Sequence, residues 1–169
     1  MNGTVVLACC LMILASAVPA CAQSSTLDKP QVTQGVKDAT EGPPIVFYAD
    51  LSADEESAET YSPGIGRFEC ALERKTLKLT WKVTYQKLTS PVIGAGIHGP
   101  QSPGAEAGVL IDLGGKGLTS PIEGSAILNE GQLEYLLTDR MYVNILTKKY
   151  PVGELRGQLA RLRPNTSDN

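Results

Sequence analysis

Apolar and polar residues alternate with a period of two through the middle of the chain. Leu77, Leu79, Trp81, Val83 and Tyr85 are separated by threonines and lysines. This alternation is typical of a strand that has one face in a core and the other face in water. The segment is therefore predicted to be a half-buried β-strand.

A second alternating segment comes just before it. Phe68, Cys70 and Leu72 are separated by charged or small residues, and the connection at 73–76 is short enough for a hairpin. With Leu72 placed opposite Leu77, the apolar side chains of both segments share one face. The pattern predicts an antiparallel pair in this register.

The remaining strand candidates are six segments separated mostly by turn-forming residues: Ile45–Leu51, Val92–His98, Ala107–Leu113, Leu118–Leu128, Met141–Thr147 and Gly153–Arg161. Only Asn129–Thr138 has helical spacing, with Asn129 and Gln132 at the two positions of a capping box. These elements predict an all-β fold, an antiparallel Greek-key sandwich or barrel of about six to eight short strands with one short helix.

The N-terminal segment has a different pattern. Residues 1–22 carry no charged side chain, and the apolar run Val5–Val18 is shorter than the roughly 20 residues that span a bilayer. We therefore expect a signal peptide at 1–22. Cleavage before Gln23 would remove Cys21, whereas Val18–Cys21 also resembles a bacterial lipobox, in which Cys21 is lipidated; both possibilities stay open.

Composition divides the rest of the chain into a linker, a domain and a C-terminal tail. Residues 23–44 are rich in Ser, Thr, Gln, Gly and Pro and are expected to form a flexible linker. The β domain is expected at 45–161, and 162–169 is expected to be a disordered tail. After removal of the signal peptide, Cys70 is the thiol of the domain, so we expect the core to hold the fold without a disulfide.

Charge and residue counts narrow the possible functions. The net charge is −3, which gives no basic surface for nucleic acid, and the single His98 cannot build a centre of several imidazoles. We expect no catalytic residues and no cofactor. The acidic run Asp50, Asp54, Glu55, Glu56 and Glu59 lacks the spacing of a calcium loop and is expected to be a solvated loop.

Several short sequence motifs follow one another along the domain in a characteristic order. They are Leu79–Tyr85 (LTWKVTY), Ile97–Pro100 (IHGP), the helix Gln132–Leu137, Tyr142–Asn144 (YVN) and Gly153–Leu159 (GELRGQL). In this order they resemble the chordin-type domain, CHRD, over about Ile45–Ala160. The resemblance implies an extracellular or periplasmic β domain with no established catalytic activity, and in chordin such domains accompany modules that bind growth factors.

Two positions depart from the family pattern. The family commonly has His-x-His-Gly where this chain has Gly96 before His98, and Asn-x-His-Thr where this chain has Leu146. Only His98 is left as a candidate metal ligand, and one imidazole cannot close a zinc or copper site. The alternative function is a metal-binding or redox protein on a framework like that of superoxide dismutase, with a degenerate site.

Individual polar residues of these motifs are expected to be structural. His98 is interpreted as a hydrogen-bonded imidazole, and the amide of Asn144 is expected to bind a loop backbone. Glu154 and Arg156 lie two apart on one predicted strand and thus on one face. They are expected to form an ion pair, or Arg156 to bind loop carbonyls; the competing possibility is that they face a ligand.

Together these expectations describe an exported, non-enzymatic module. Its location is periplasmic, membrane-anchored through Cys21, or extracellular. Its partner is expected to be an unidentified protein of the envelope or extracellular space, and nucleic acid is not expected to bind.

Overall fold

The computed structural model describes residues 42–163. The expected signal peptide with Cys21, nearly all of the expected linker and residues 164–169 lie outside this part. The described strands are β1 (Ile45–Ser52), β2 (Ile65–Glu73), β3 (Lys78–Gln86), β4 (Val92–His98), β5 (Val109–Asp112), β6 (Ile122–Ile127), β7 (Tyr142–Thr147), β8 (Leu155–Gln158) and β9 (Ala160–Arg161). The α-helix is α1 (Glu130–Leu137).

The strands form one antiparallel sheet that curls into a nearly closed barrel. The order along the sheet is β5-β4-β7-β8-β1-β2-β3-β6, and β9 pairs with β1 beyond the end of β8. The predicted all-β class with one short helix is therefore confirmed. Within residues 42–163 the sheet has nine strands rather than six to eight, because the last predicted strand, Gly153–Arg161, is interrupted at Leu159, whose N–H donates to the carbonyl of Met141.

The inward side chains of the strands form one continuous apolar core. Phe47, Phe68 and Val83 are fully buried, and Trp81 is 7% exposed. Trp81 pairs with Gly124 on β6, where a Cβ would overlap the indole ring, so this glycine makes the space that the ring fills. Trp81 is thus a core residue, as its alternation predicts.

The register of the β2–β3 hairpin differs from the prediction by two residues. Leu72 pairs with Leu79 and Cys70 with Trp81, so the faces are right but the partners are wrong. The cause is the turn, since Leu77 has a positive φ of 54° and belongs to the connection instead of the strand. Alternation fixes which side faces the core, whereas the turn conformation fixes the pairing.

Helix α1 lies beside the open seam between the two ends of the sheet. Asn129 and Gln132 form the predicted capping box, and Leu133 and Leu136 are buried in the core. The side-chain amide of Gln132 also donates to the carbonyl of Leu110 on the edge strand β5, at 3.0 Å. In residues 42–163 no helix has the length and hydropathy needed to cross a membrane.

Candidate functional site

Buried polar residues line the outer face of strands β4, β7 and β8. His98 pairs with Tyr142, and Asn144 pairs with Arg156, so these four side chains lie side by side. Glu56 approaches them from the connection between β1 and β2, which we call loop 53–64. We call these five residues the polar cluster. It is buried although it lies outside the barrel, because loops cover this face of the sheet.

His98 is held on both sides of its ring. Its Nδ1 lies 3.0 Å from the carbonyl of Ala107, in the connection between β4 and β5 that we call loop 99–108. The ring stacks on Tyr142 with centroids 5.1 Å apart, and the residue is 8% exposed. Because a carbonyl accepts from Nδ1–H, the neutral ring has its lone pair on Nε2, which is buried and has no partner in the described part of the chain.

Tyr142 and Arg156 bind the same loop. The Tyr142 hydroxyl accepts from the N–H of Ala107 at 2.9 Å and lies 3.2 Å from its carbonyl oxygen. Arg156 places its guanidinium carbon 3.7 Å from the centroid of the Tyr142 ring and donates from Nη2 to the carbonyl of Ala105 at 2.5 Å. Stacking and donation together fix loop 99–108 against the sheet.

Glu154 has separate partners. The residue is 0% exposed, and its carboxylate accepts from Ser62 Oγ at 2.6 Å, Thr89 N at 2.7 Å and Thr147 Oγ1 at 2.5 Å. Burial alone would raise the pKa of this carboxyl, but the hydrogen bonds from Ser62, Thr147 and Thr89 outweigh it, and the pKa lies below its ordinary value.

The expected ion pair between Glu154 and Arg156 does not form. Within residues 42–163 the ion pairs of the structure involve other residues, and Arg156 satisfies a loop carbonyl instead. Strand β8 begins at Leu155, so Glu154 belongs to the preceding connection, loop 148–154. Of the two structural arrangements expected for Arg156, the structure has the one in which Arg156 binds a loop carbonyl.

Asn144 binds loop 148–154 through its amide nitrogen. Nδ2 donates to the carbonyl of Val152 at 3.1 Å, whereas Oδ1 is buried and finds no partner among the residues that the structure describes. Gly153 lies directly beneath this oxygen, because a Cβ there would come within 2.6 Å of it. The loop therefore approaches the sheet more closely than any residue with a side chain permits.

Glu56 corrects one expectation from the sequence. It belongs to the acidic run expected to be solvated, and its neighbours Asp54 and Glu55 are indeed exposed. Glu56 instead has a buried Oε1 that no group of residues 42–163 hydrogen-bonds, and burial raises the pKa of its carboxyl to about 7. Arg156 lowers this pKa and Glu106 raises it further. No local pattern distinguishes Glu56 from the carboxylates beside it.

The side chains present do not fit the metal centre that the family pattern implies. Gly96 lies beside His98, since a Cβ at Gly96 would be 3.2 Å from Nε2, and Leu146 occupies the same face of β7. Leu146 pairs with Gly94, four residues along β4 from His98. The three positions together supply one imidazole, one hydrogen and one hydrocarbon chain. Within residues 42–163 no group of three or more His, Cys, Asp or Glu residues could hold a metal ion.

Cys70 is a core residue of the barrel. Its thiol is free and buried, and burial raises its pKa to about 12. Because the thiolate is the nucleophile and the metal ligand, this thiol is inert near neutral pH. Its side chain fills space beside Trp81, its partner in the sheet.

Comparison with protein families matches residues 47–159 to the CHRD domain. The matched segment begins in β1, ends just before β9 and includes the whole polar cluster. No curated protein and no solved structure matches the chain.

Proposed function

The chain belongs to the CHRD domain family, and on that premise we propose that it is an exported, non-enzymatic interaction module of the cell envelope or extracellular space. The observation that carries the proposal is the use of the buried polar groups. Glu154, Arg156 and Asn144 each bind the backbone or side chains of loops of the same domain. Groups used in this way position a surface and are not free to react with a substrate.

The anchored loops present an exposed patch. Tyr61 is 74% exposed on loop 53–64, and Val152 is 65% exposed on loop 148–154. Tyr150 joins the two loops, because its hydroxyl donates to the carbonyl of Tyr61 at 3.1 Å. We call Tyr61, Tyr150 and Val152 the loop patch. Aromatic and aliphatic side chains on ordered loops are typical of sites that contact a protein partner.

Export is supported by the N-terminal sequence. The uncharged residues 1–22 have the character of a signal peptide, and Cys21 stands where a lipobox cysteine would be acylated. A domain whose thiol Cys70 is buried and unreactive needs no reducing compartment. The proposal therefore places the domain outside the cytoplasm, with or without a lipid anchor.

The proposal is tested by cross-linking on intact cells with a reagent that does not cross the membrane. We expect the wild-type chain to be joined to one specific protein, and the double substitution Tyr61→Ser with Val152→Ser to reduce this product at least about tenfold, the equivalent of 1.4 kcal/mol. The matched control is Ile127→Ser, which removes an apolar side chain that is also 74% exposed but lies on β6.

The same experiment separates export from interaction. Cross-links obtained only with a membrane-permeant reagent would contradict export. Equal cross-linking of the wild type, the loop-patch variant and Ile127→Ser would contradict the proposed surface. Cys21→Ser tests for the lipid anchor. If Cys21 is lipidated, the substitution should release the protein from the membrane fraction. If Cys21 is removed with the signal peptide, the substitution should change nothing.

The second candidate function, a metal-binding or redox protein, is favoured by one observation. Nε2 of His98 is buried, has no partner and carries the lone pair that a metal would use. Against it, Gly96 and Leu146 supply no further ligands. We propose that this position is a structural remnant.

Titration with zinc or copper decides between these functions. We expect no stoichiometric complex that survives competition by a weak chelator, because a single imidazole cannot complete a coordination shell. The control is His98→Ala, which should behave like the wild type. Tight binding at one metal per chain that is lost in His98→Ala would reverse the ranking.

A further inference from the structure

Two buried oxygen atoms face the same point above loop 148–154. Oε1 of Glu56 and Oδ1 of Asn144 are both buried, and neither has a hydrogen-bond partner among residues 42–163. A Cβ built on Gly153 would lie 2.6 Å from Oδ1 of Asn144 and also 2.6 Å from Oε2 of Glu56. The carboxyl and the amide oxygen therefore converge on one glycine, although they come from different elements.

The orientation of the Asn144 amide is fixed. Its Nδ2 donates to the carbonyl of Val152, and exchanging the amide atoms would place two oxygens against each other there. Oδ1 must therefore face Glu56. An ionised carboxylate accepts hydrogen bonds and donates none, so the pair as it stands lacks a donor.

We infer that the Glu56 carboxyl carries a proton and donates it in a hydrogen bond to Oδ1 of Asn144. One hydrogen then satisfies both buried atoms, each of which would otherwise cost free energy. The bond fastens loop 53–64 to strand β7. We call it the acid–amide latch.

Burial favours a proton on Glu56 more strongly than the charged groups around it oppose one. Arg156 faces Glu56 from β8 and stabilises its charged form, and Glu106, which faces it from loop 99–108, opposes that form less strongly. Glu106 is itself held in place, since it accepts from the Ser57 hydroxyl. A calcium ion is less suitable here, because it needs about six to eight oxygen ligands and Arg156 would repel it.

The sign of the pH dependence follows from the raised pKa. The carboxyl has an ordinary pKa of 4.5 and a folded pKa of about 7. Its stabilising contribution is complete below about pH 4.5 and is lost as the pH rises through 7. Loop 53–64, which carries Tyr61, should therefore be bound most firmly in acid and loosen above neutrality.

Thermal unfolding of Glu56→Gln, measured from pH 4.5 to pH 8.5, tests the latch. Glutamine keeps the shape of glutamate and donates from Nε2 at every pH. We expect the melting temperature of this variant to match the wild type at pH 4.5 and to exceed it at pH 8.5. The matched control is Glu55→Gln, which removes the same charge from the exposed neighbouring residue and should follow the wild-type profile.

Carbon-13 NMR of the Glu56 side-chain carboxyl measures the proton directly. A titration midpoint near 7 supports the latch, and a midpoint near 4.5 overturns it. Equal destabilisation of Glu56→Gln at both ends of the pH range would also overturn the latch, because it would mean that the negative charge of Glu56 stabilises the fold. So would a rise in the wild-type melting temperature with calcium or zinc at pH 8.5 that is absent in Glu56→Gln. None of these readouts requires a partner, so failure of the latch and failure of the proposed function are distinguishable.

Discussion

Replacing Trp81 with alanine is expected to lower the free energy of unfolding by about 3–5 kcal/mol, because truncation removes the burial of the indole and leaves a cavity. The ring is 7% exposed and packs over Gly124 on the neighbouring strand. The glycine has no side chain that could move into the space. The cavity should therefore persist, and chemical denaturation should show a lower midpoint with an unchanged slope.

Trp81→Phe is the control for this prediction. The indole N–H is buried without a partner, so phenylalanine removes an unsatisfied donor while keeping much of the apolar volume. We expect its cost to stay below about 1.5 kcal/mol. A loss of less than about 1 kcal/mol in Trp81→Ala would contradict the burial of the ring, since such values are typical of surface sites.

The second large effect is expected at Glu154 and Arg156. Glu154→Gln places an amide nitrogen among the donors Ser62, Thr89 and Thr147, and Arg156→Met leaves the carbonyl of Ala105 without its donor. Each substitution should cost about 1.5–3 kcal/mol, the range for losing a hydrogen bond to a charged group and leaving its buried partner unsatisfied.

A double-mutant cycle tests whether these two residues act independently. They have no common partner, so the double substitution should be additive to within about 0.5 kcal/mol in denaturant unfolding. An interaction energy above about 1 kcal/mol would mean that the two charges are paired after all. The control is Arg67→Met, which breaks an exposed ion pair with Asp50 and should cost less than about 1 kcal/mol.

Features of the fold that depend on residues close together in the chain can be predicted from the sequence. The capping box of α1 depends on Asn129 and Gln132, three residues apart, and it forms as predicted. The hairpin register depends on the backbone conformation of Leu77, which alternation does not encode, and the predicted register is wrong by two residues. Period-two patterning determines the face of a residue, and a shift of two preserves that face.

The site could be predicted only in part, because its contacts are distant along the chain. Ser62 and Thr89 lie 92 and 65 residues from Glu154, so no spacing in the sequence reveals that they meet. The burial of Glu56 depends in the same way on loops that the sheet brings together. The sequence leaves Arg156 two structural roles, an ion pair with Glu154 or a hydrogen bond to a loop carbonyl, and does not choose between them; in the structure Arg156 binds the carbonyl of Ala105.

The seam of the barrel determines how much of the sheet edge is open to pairing with another chain. An unpaired edge strand offers free backbone groups to a second chain, and this is a common start of aggregation. Edge strand β5 is only 4 residues long, and Gln132 of α1 already binds one of its carbonyls, that of Leu110. The short edge strand and the helix side chain bound to it therefore leave fewer backbone groups of β5 free to pair with a strand of another chain.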